Sequence, residues 1–225
     1  AISAPGSWIG VANSDWNNAS NWCGSIPTAT TDVTIPSQAP NMPVLSSGGS
    51  ARNITIQNGG SLTVATGGTL NLYGNLTGAG QFLPANGTVA FRGSTPQSAP
   101  SFTATNVVMN GAGGFVPAGN VTVTGALSLT LGNITLGTNN ITLAAGSTGS
   151  ANSHIITNGA GGVIATGFAA STTRIIPVGT SAASYTPVIL TANNGHVTDD
   201  LIIRVQPEVL SGGTTGGRID RFVVD

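Results

Sequence analysis

Asn53-Ile-Thr-Ile-Gln-Asn-Gly-Gly-Ser-Leu-Thr-Val-Ala-Thr-Gly-Gly-Thr-Leu-Asn-Leu72 contains three short runs of one kind. Asn53-Ile-Thr-Ile, Ser61-Leu-Thr-Val and Thr69-Leu-Asn-Leu each set aliphatic side chains at alternate positions, with Thr or Asn between them. A period of two puts the aliphatic set on one face of a strand and the polar set on the other. Gly59-Gly60 and Gly67-Gly68 stand between the runs, and glycine tolerates the positive φ at which an extended chain changes direction. The pattern extends outward to Thr88-Val-Ala-Phe, Asn106-Val-Val-Met, Asn120-Val-Thr-Val, Ala126-Leu-Ser-Leu, Asn133-Ile-Thr-Leu and Asn140-Ile-Thr-Leu.

The aliphatic starts Val33, Ile54 and Leu76 are spaced like successive coils of a solenoid, whose repeats run to roughly 20–29 residues. Later spacings are shorter, so two or three strands share each turn. Asn110-Gly-Ala-Gly-Gly-Phe-Val returns as Asn158-Gly-Ala-Gly-Gly-Val-Ile, an echo that fits a stack of similar turns. No segment has the pattern of a useful amphipathic helix. The expected fold is all-β, a parallel β-helix, right-handed because parallel crossovers take that hand.

Charge is scarce. Between Arg92 and Arg174 there is no Asp, Glu, Lys or Arg, and the chain has no lysine. Charged residues make up 6%, against about 25% in ordinary globular chains. A hydrophobic share of 40% argues for a folded chain all the same. Six scattered arginines and a formal net charge of -1 give no footprint for nucleic acid. No apolar run approaches the ~18 residues of a spanning helix, and the aromatic girdles of an outer-membrane barrel are missing. Cys23 is the single cysteine, which rules out an intrachain disulfide; a small buried residue is expected there. A start at Ala1 is consistent with a removed signal peptide and export.

Composition divides the chain into three. Residues 1–43 hold Trp8, Trp16 and Trp22 and read as an N-terminal cap; residues 44–170 read as the coils. Residues 171–225 regain charge and read as a β-rich segment, a sheet or an incomplete sandwich. Arg174-Ile-Ile-Pro-Val, Tyr185-Thr-Pro-Val-Ile-Leu-Thr and Asp200-Leu-Ile-Ile-Arg-Val-Gln are its longer strands, with Asn193-Asn-Gly as a turn and Gly212-Gly-Thr-Thr-Gly-Gly as a loop. Phe222-Val-Val-Asp225 reads as a strand cut short, so a continuation or a partner strand is expected.

Trp8-Ile-Gly, Ser14-Asp-Trp-Asn, Asn18-Ala-Ser-Asn-Trp-Cys-Gly, Ile26-Pro-Thr and Asp32-Val-Thr-Ile-Pro resemble the start of repetitive surface proteins exported by Bacteroidota. Tyr185-Thr-Pro-Val and Val205-Gln-Pro-Glu-Val-Leu-Ser-Gly-Gly-Thr-Thr-Gly are similar to later segments of those proteins. The resemblance implies a secreted or surface-attached β-helical adhesin or stalk, carried by the type IX secretion route. Such proteins end in further β-domains and a sorting domain, which this sequence lacks.

The residues give little to an enzyme. Glycoside hydrolysis needs two carboxylates across one bond, and no carboxylate lies between Asp32 and Asp199. His196, Asp199 and Asp200 read as a hydrated turn, and His154 as a coil-surface residue. Neither histidine sits in a zinc-hydrolase pattern, and no Gly-x-Ser-x-Gly elbow occurs. Asp199, Asp200 and Glu208 are the carboxylates a calcium ion would use, at a spacing that matches no known loop; no metal or other cofactor is expected.

Trp8, Trp16 and Trp22 have two readings: a platform on which sugars stack, or a cap over the open end of the solenoid, the preferred reading. Asn-x-Thr triplets at Asn53, Asn75, Asn86, Asn120, Asn133 and Asn140 are glycosylation acceptors by pattern, or residues that suit corners and could stack as amide ladders. Threonine pieces at Thr103, Thr122 and Thr28 could present hydroxyls to ice or a crystalline polysaccharide, but they are irregular. The expected function is a non-catalytic extracellular or cell-surface structural protein, an adhesin, stalk or self-assembling filament subunit. The alternative is a carbohydrate-binding module of a larger secreted protein. Expected partners are further copies of the chain or a surface polysaccharide, with no nucleic acid and no membrane span.

Overall fold

The computed structural model describes residues 4–193 and 199–206. His196, Glu208, the 212–217 loop and the terminal run 222–225 lie outside the described residues. The molecule is a β-solenoid of about seven turns. The short alternating runs become strands of two to six residues, and each coil gives one segment to each of three faces.

Coil one holds β1 (Val33–Ile35), β2 (Val44–Leu45) and β3 (Gly48–Ala51). Coil two holds β4 (Ile54–Ile56), β5 (Ser61–Val64) and β6 (Thr69–Leu72), and coil three β7 (Leu76–Thr77), β8 (Gln81–Leu83) and β9 (Thr88–Phe91). Coils four and five enter the first face through isolated bridges at Gln97 and Phe115. They continue as β10 (Phe102–Ala104) and β11 (Asn106–Asn110), then β12 (Val121–Val123) and β13 (Leu127–Leu131). Coil six holds β14 (Ile134–Thr135), β15 (Ile141–Leu143) and β16 (Ser147–Thr148). Coil seven holds β17 (Ile155–Ile156), β18 (Val163–Phe168) and β19 (Thr173–Ile176), the last lying beside β16.

Neighbouring coils pair in parallel, so side chains stack on their counterparts one coil away. The first face runs Val33–Ile54–Leu76 and the second Phe102–Val121–Ile141–Val163. The third is a six-stranded sheet with Leu70, Val89, Val107 and Leu127 in one column. These columns fill the interior, and every member is buried. Phe91 stacks on Phe115 with centroids 3.9 Å apart, and Phe82 meets Phe102 edge-on at 5.6 Å. The strand β1, inside the segment 1–43, is already a full member of the stack.

At the far end the strand direction reverses. Beyond coil seven come β20 (Val178–Ser181), β21 (Ser184–Tyr185), β22 (Val188–Thr191) and β23 (Asp199–Ile203). β20 still adds to β17 in parallel, but β21 lies antiparallel on β20, β22 on β19 and β23 on β18. The runs around Pro177 and Pro187, read above as single strands, are each two. A proline has no N–H for the ladder, so the chain leaves the strand there and turns onto another face.

The coils are tied by asparagine. Asn53 Oδ1 accepts from the Asn75 N–H at 2.8 Å, and Asn75 Oδ1 from the Ser98 N–H at 2.8 Å. Asn120 Oδ1 accepts from the Asn140 N–H, and Asn140 Oδ1 from the Gly162 N–H, both at 2.9 Å. Asn133 Oδ1 does the same for the His154 N–H at 2.9 Å, and Asn106 for Ala126. Five of the six Asn-x-Thr triplets thus have one architectural role. Asn at the corner satisfies a backbone donor of the next coil, the aliphatic residue points inward, and Thr faces out. The stacking is side chain to backbone, not amide on amide. Asn86, at an exposed turn, is the exception.

Three further expectations change. The Gly-Ala-Gly-Gly echo marks two different corners. Gly111–Gly114 leads from the third face to the first, and the Asn158–Gly162 copy from the first to the second. Gly111 stacks against Gly93 and beneath Gly132, whose φ of +80° and contact with the Gly111 carbonyl leave no room for a side chain. His154 is fully buried, not on a coil surface, because Ser150 O at 3.3 Å from Nδ1 and Ser181 O at 2.9 Å from Nε2 supply its ring with acceptors. Cys23 is half-buried, its N–H on Ser7 O.

Asn140→Ala removes the acceptor of the Gly162 N–H and should cost about 1–2 kcal/mol, whereas Asn140→Asp, which keeps an acceptor, should cost less. Urea unfolding of the two variants beside the parent protein checks the order.

Candidate functional site

The tryptophans are placed by the first coil. Trp8 N–H donates to Thr34 O and Trp16 N–H to Val44 O, so their segment lies on β1 and β2 as an eighth, irregular layer. The rings form one cluster, Trp22 meeting Trp8 at 4.9 Å and Trp16 at 4.7 Å, both edge-on. Gly49 on the third face lacks the side chain that would collide with the Trp16 indole. Trp22 Nε1 donates to Trp16 O and Trp8 Nε1 to Asn41 O, each at 2.6 Å. Buried Asn21 holds the preceding loop, accepting from the Ala12 and Asn13 N–H groups and donating to Asp15 O.

Exposures of 1% for Trp8, 0% for Trp16 and 3% for Trp22 leave no ring face open to a sugar. The stacking platform is therefore withdrawn. The rings are spent on covering the apolar end of coil one, where leaving them in water would forfeit their burial.

Of the carboxylates set down for calcium, Asp200 Oδ1 accepts from the Gly167 N–H at 3.1 Å, beside the β18–β23 pairing. Asp199 pairs through its backbone with Phe168. Among the described residues, no three His, Cys, Asp or Glu side chains come together. The threonines make single columns, Thr34–Thr55–Thr77 on the first face and Thr103–Thr122–Thr142 on the second, each three coils high.

The site that the structure assembles is elsewhere, at the corner between the third and first faces. Register partners Ala51, Leu72 and Phe91 end β3, β6 and β9, so the residues that follow them, Arg52, Tyr73 and Arg92, stand on three successive coils. With Asn53, Asn75, Ser94 and Thr95 they line an open groove of about 520 Å³. A second groove of about 280 Å³ continues along the same corner past Pro96, over Gly113, Gly114 and Phe115 to Ile156. Nothing in the sequence pattern alone joins these three residues. Their spacing is the coil period, and it becomes visible only once β3, β6 and β9 are known to share a face.

Arg52 is engaged by Asp32, to which its Nε donates at 2.7 Å and its Nη2 donates as well. Asp32 Oδ1, the acceptor of Arg52 Nε, also accepts from Asn53 Nδ2 at 2.8 Å. The Arg52 guanidinium, helped by Asn53, holds the Asp32 carboxyl down at about 2, against a smaller opposing effect of burial. Arg92 Nε donates to Asn71 Oδ1 at 2.6 Å, and its terminal nitrogens make no hydrogen bond to the described residues. Arg174 differs, donating to the carbonyls of Ala144, Thr166 and Gly167.

Two outcomes follow from these placements. Trp22→Ala should destabilise the protein by roughly 3–5 kcal/mol in chemical denaturation, as expected for emptying a packed aromatic site. Asp32 has a folded pKa below its unfolded value of about 3.9, so its contribution is complete above that pH and is lost as pH falls toward 2. Asp32→Asn should flatten the fall of the melting temperature over that interval at low salt. The effect is small, because the pair is half exposed and screened.

Residues 7–88 match the profile of a domain family of unknown function, DUF8693. The matched stretch runs from the tryptophan layer into β9 and takes in Asp32, Arg52 and Tyr73. No curated protein and no solved structure matches the chain.

Proposed function

We propose that this chain is a non-catalytic extracellular structural protein, a stalk or adhesin segment that works through its shape and outer surface. The observation that carries the reading is the continuity of the stack. Seven coils share one apolar interior, and successive coils are joined by asparagine-to-backbone bonds. A rod held this way resists bending, and its outer strand positions are chiefly Thr, Ser and Asn. Location outside the cell or on its surface rests on the resemblance to exported Bacteroidota surface proteins.

Within that reading a stalk is favoured over a filament subunit. Coil-on-coil addition requires each face to offer a parallel edge, and at the far end β21, β22 and β23 run the other way. A tryptophan layer covers the near end. Among the described residues, the tryptophan layer and the antiparallel strands differ from the coils between them.

The purified protein should sediment as a monomer, and negative-stain images should show single particles without fibres. Seven coils at strand spacing make roughly 34 Å of stack. Fibres at neutral pH would move the reading to a filament subunit. Release of shortened products from a glycan panel, abolished by His196→Ala, would end the non-catalytic reading.

A further inference from the structure

The corner that carries Arg52, Tyr73 and Arg92 has the parts of a ligand site, and of its two arginines only Arg52 is taken up by an ion pair. Arg92 is the last charged residue before Arg174, set among coils that otherwise avoid charge. Its half-buried side chain is fixed at Nε by Asn71, while its terminal nitrogens stay open to the groove. A guanidinium held at one edge is pre-organised to take a carboxylate with the rest of its fork. The rung two coils away shows the chemistry directly, because Arg52 holds the Asp32 carboxylate through two of its nitrogens.

The remaining lining narrows the ligand class. Tyr73 sits between the two arginines and offers an aromatic ring with a polar tip. Thr30, Asn75, Ser94 and Thr95 add hydroxyl and amide groups that match sugar hydroxyls. With Arg52 neutralised by Asp32, one net positive charge remains, too little for a polyphosphate chain, which needs clustered cations. The groove lies along the solenoid axis and meets its continuation at Pro96, so it suits a linear chain. Arg52 and Arg92 are two coils apart, about 10 Å at strand spacing. That is close to the advance of one disaccharide in an extended 1,4- or 1,3-linked polymer.

We propose that this corner groove binds a linear acidic polysaccharide with a uronate on alternate sugars, Arg92 holding one carboxylate and Tyr73 packing against the adjoining sugar ring. The proposal rests on the adhesin reading and gives it a ligand class. Asp32 occupies Arg52 as an internal competitor, so the second carboxylate position opens only when Asp32 is displaced or neutralised.

The test is calorimetric titration at low salt with a hyaluronan decasaccharide and with the same oligomer converted to its neutral methyl ester. The acid form should bind and the ester should bind at least about tenfold more weakly, the size of one charge-assisted contact. Arg92→Gln and Tyr73→Ala should each weaken binding of the acid form by a similar factor, with melting temperatures near that of the parent. Asp32→Asn keeps the amide contacts, releases Arg52, and should tighten binding several-fold, a gain that a structural role for the ion pair would not produce. Equal binding of acid and ester, undiminished binding by Arg92→Gln, or weaker binding by Asp32→Asn overturns the proposal. No binding by the parent protein overturns it while leaving the stalk reading intact. Shortening of the decasaccharide during the titration ends both.

Discussion

A stacked parallel ladder leaves one problem at every corner, where the strand stops and a backbone N–H has no strand partner. This chain answers with an asparagine placed just before the next strand, its carbonyl oxygen turned to the coil that follows. The bonds recur at 2.8–2.9 Å along separate columns, Asn53 to Asn75 to Ser98 and Asn120 to Asn140 to Gly162. Asp32 heads the first column and accepts from Asn53 in the same sense. Corner donors that have no strand partner are thereby satisfied by a neutral side chain.

Much of this architecture is legible in the residues. Alternating Ile, Thr and Leu in three-residue units dictates strands with one buried face, and Val33, Ile54 and Leu76 do stack on one another. The assignment of three faces per coil is not legible, because coil lengths drift. Register partners stand 18 residues apart at Thr88 and Asn106 but 23 apart at Ile155 and Val178. That drift hid the Arg52, Tyr73 and Arg92 corner, and it made the two Gly-Ala-Gly-Gly copies look equivalent when they turn different corners. The tryptophans were ambiguous for another reason. Composition cannot distinguish a ring that covers an apolar end from one that faces a sugar, and the burial of all three rings in one cluster decides between them.

The two ends and the corner divide the work among the few costly residues. Tryptophan goes to the start, where a flat interior must be shut off from water. Two of the twelve prolines, Pro177 and Pro187, stand at the finish, where long runs are broken so that strands can reverse. Charge in the first six coils is concentrated along one edge, with Asp32 and Arg52 on successive turns and Arg92 two turns beyond Arg52.

The direction of the interchain-like ladder bonds, parallel to the long axis, has a mechanical meaning. Tension applied between the two termini does not shear a whole sheet at once but opens the bonds of one turn before those of the next. Each turn released frees about 20 residues, which can extend by roughly 70 Å. A solenoid of this design yields in steps and stays connected while it lengthens, absorbing work that a brittle rod would transmit.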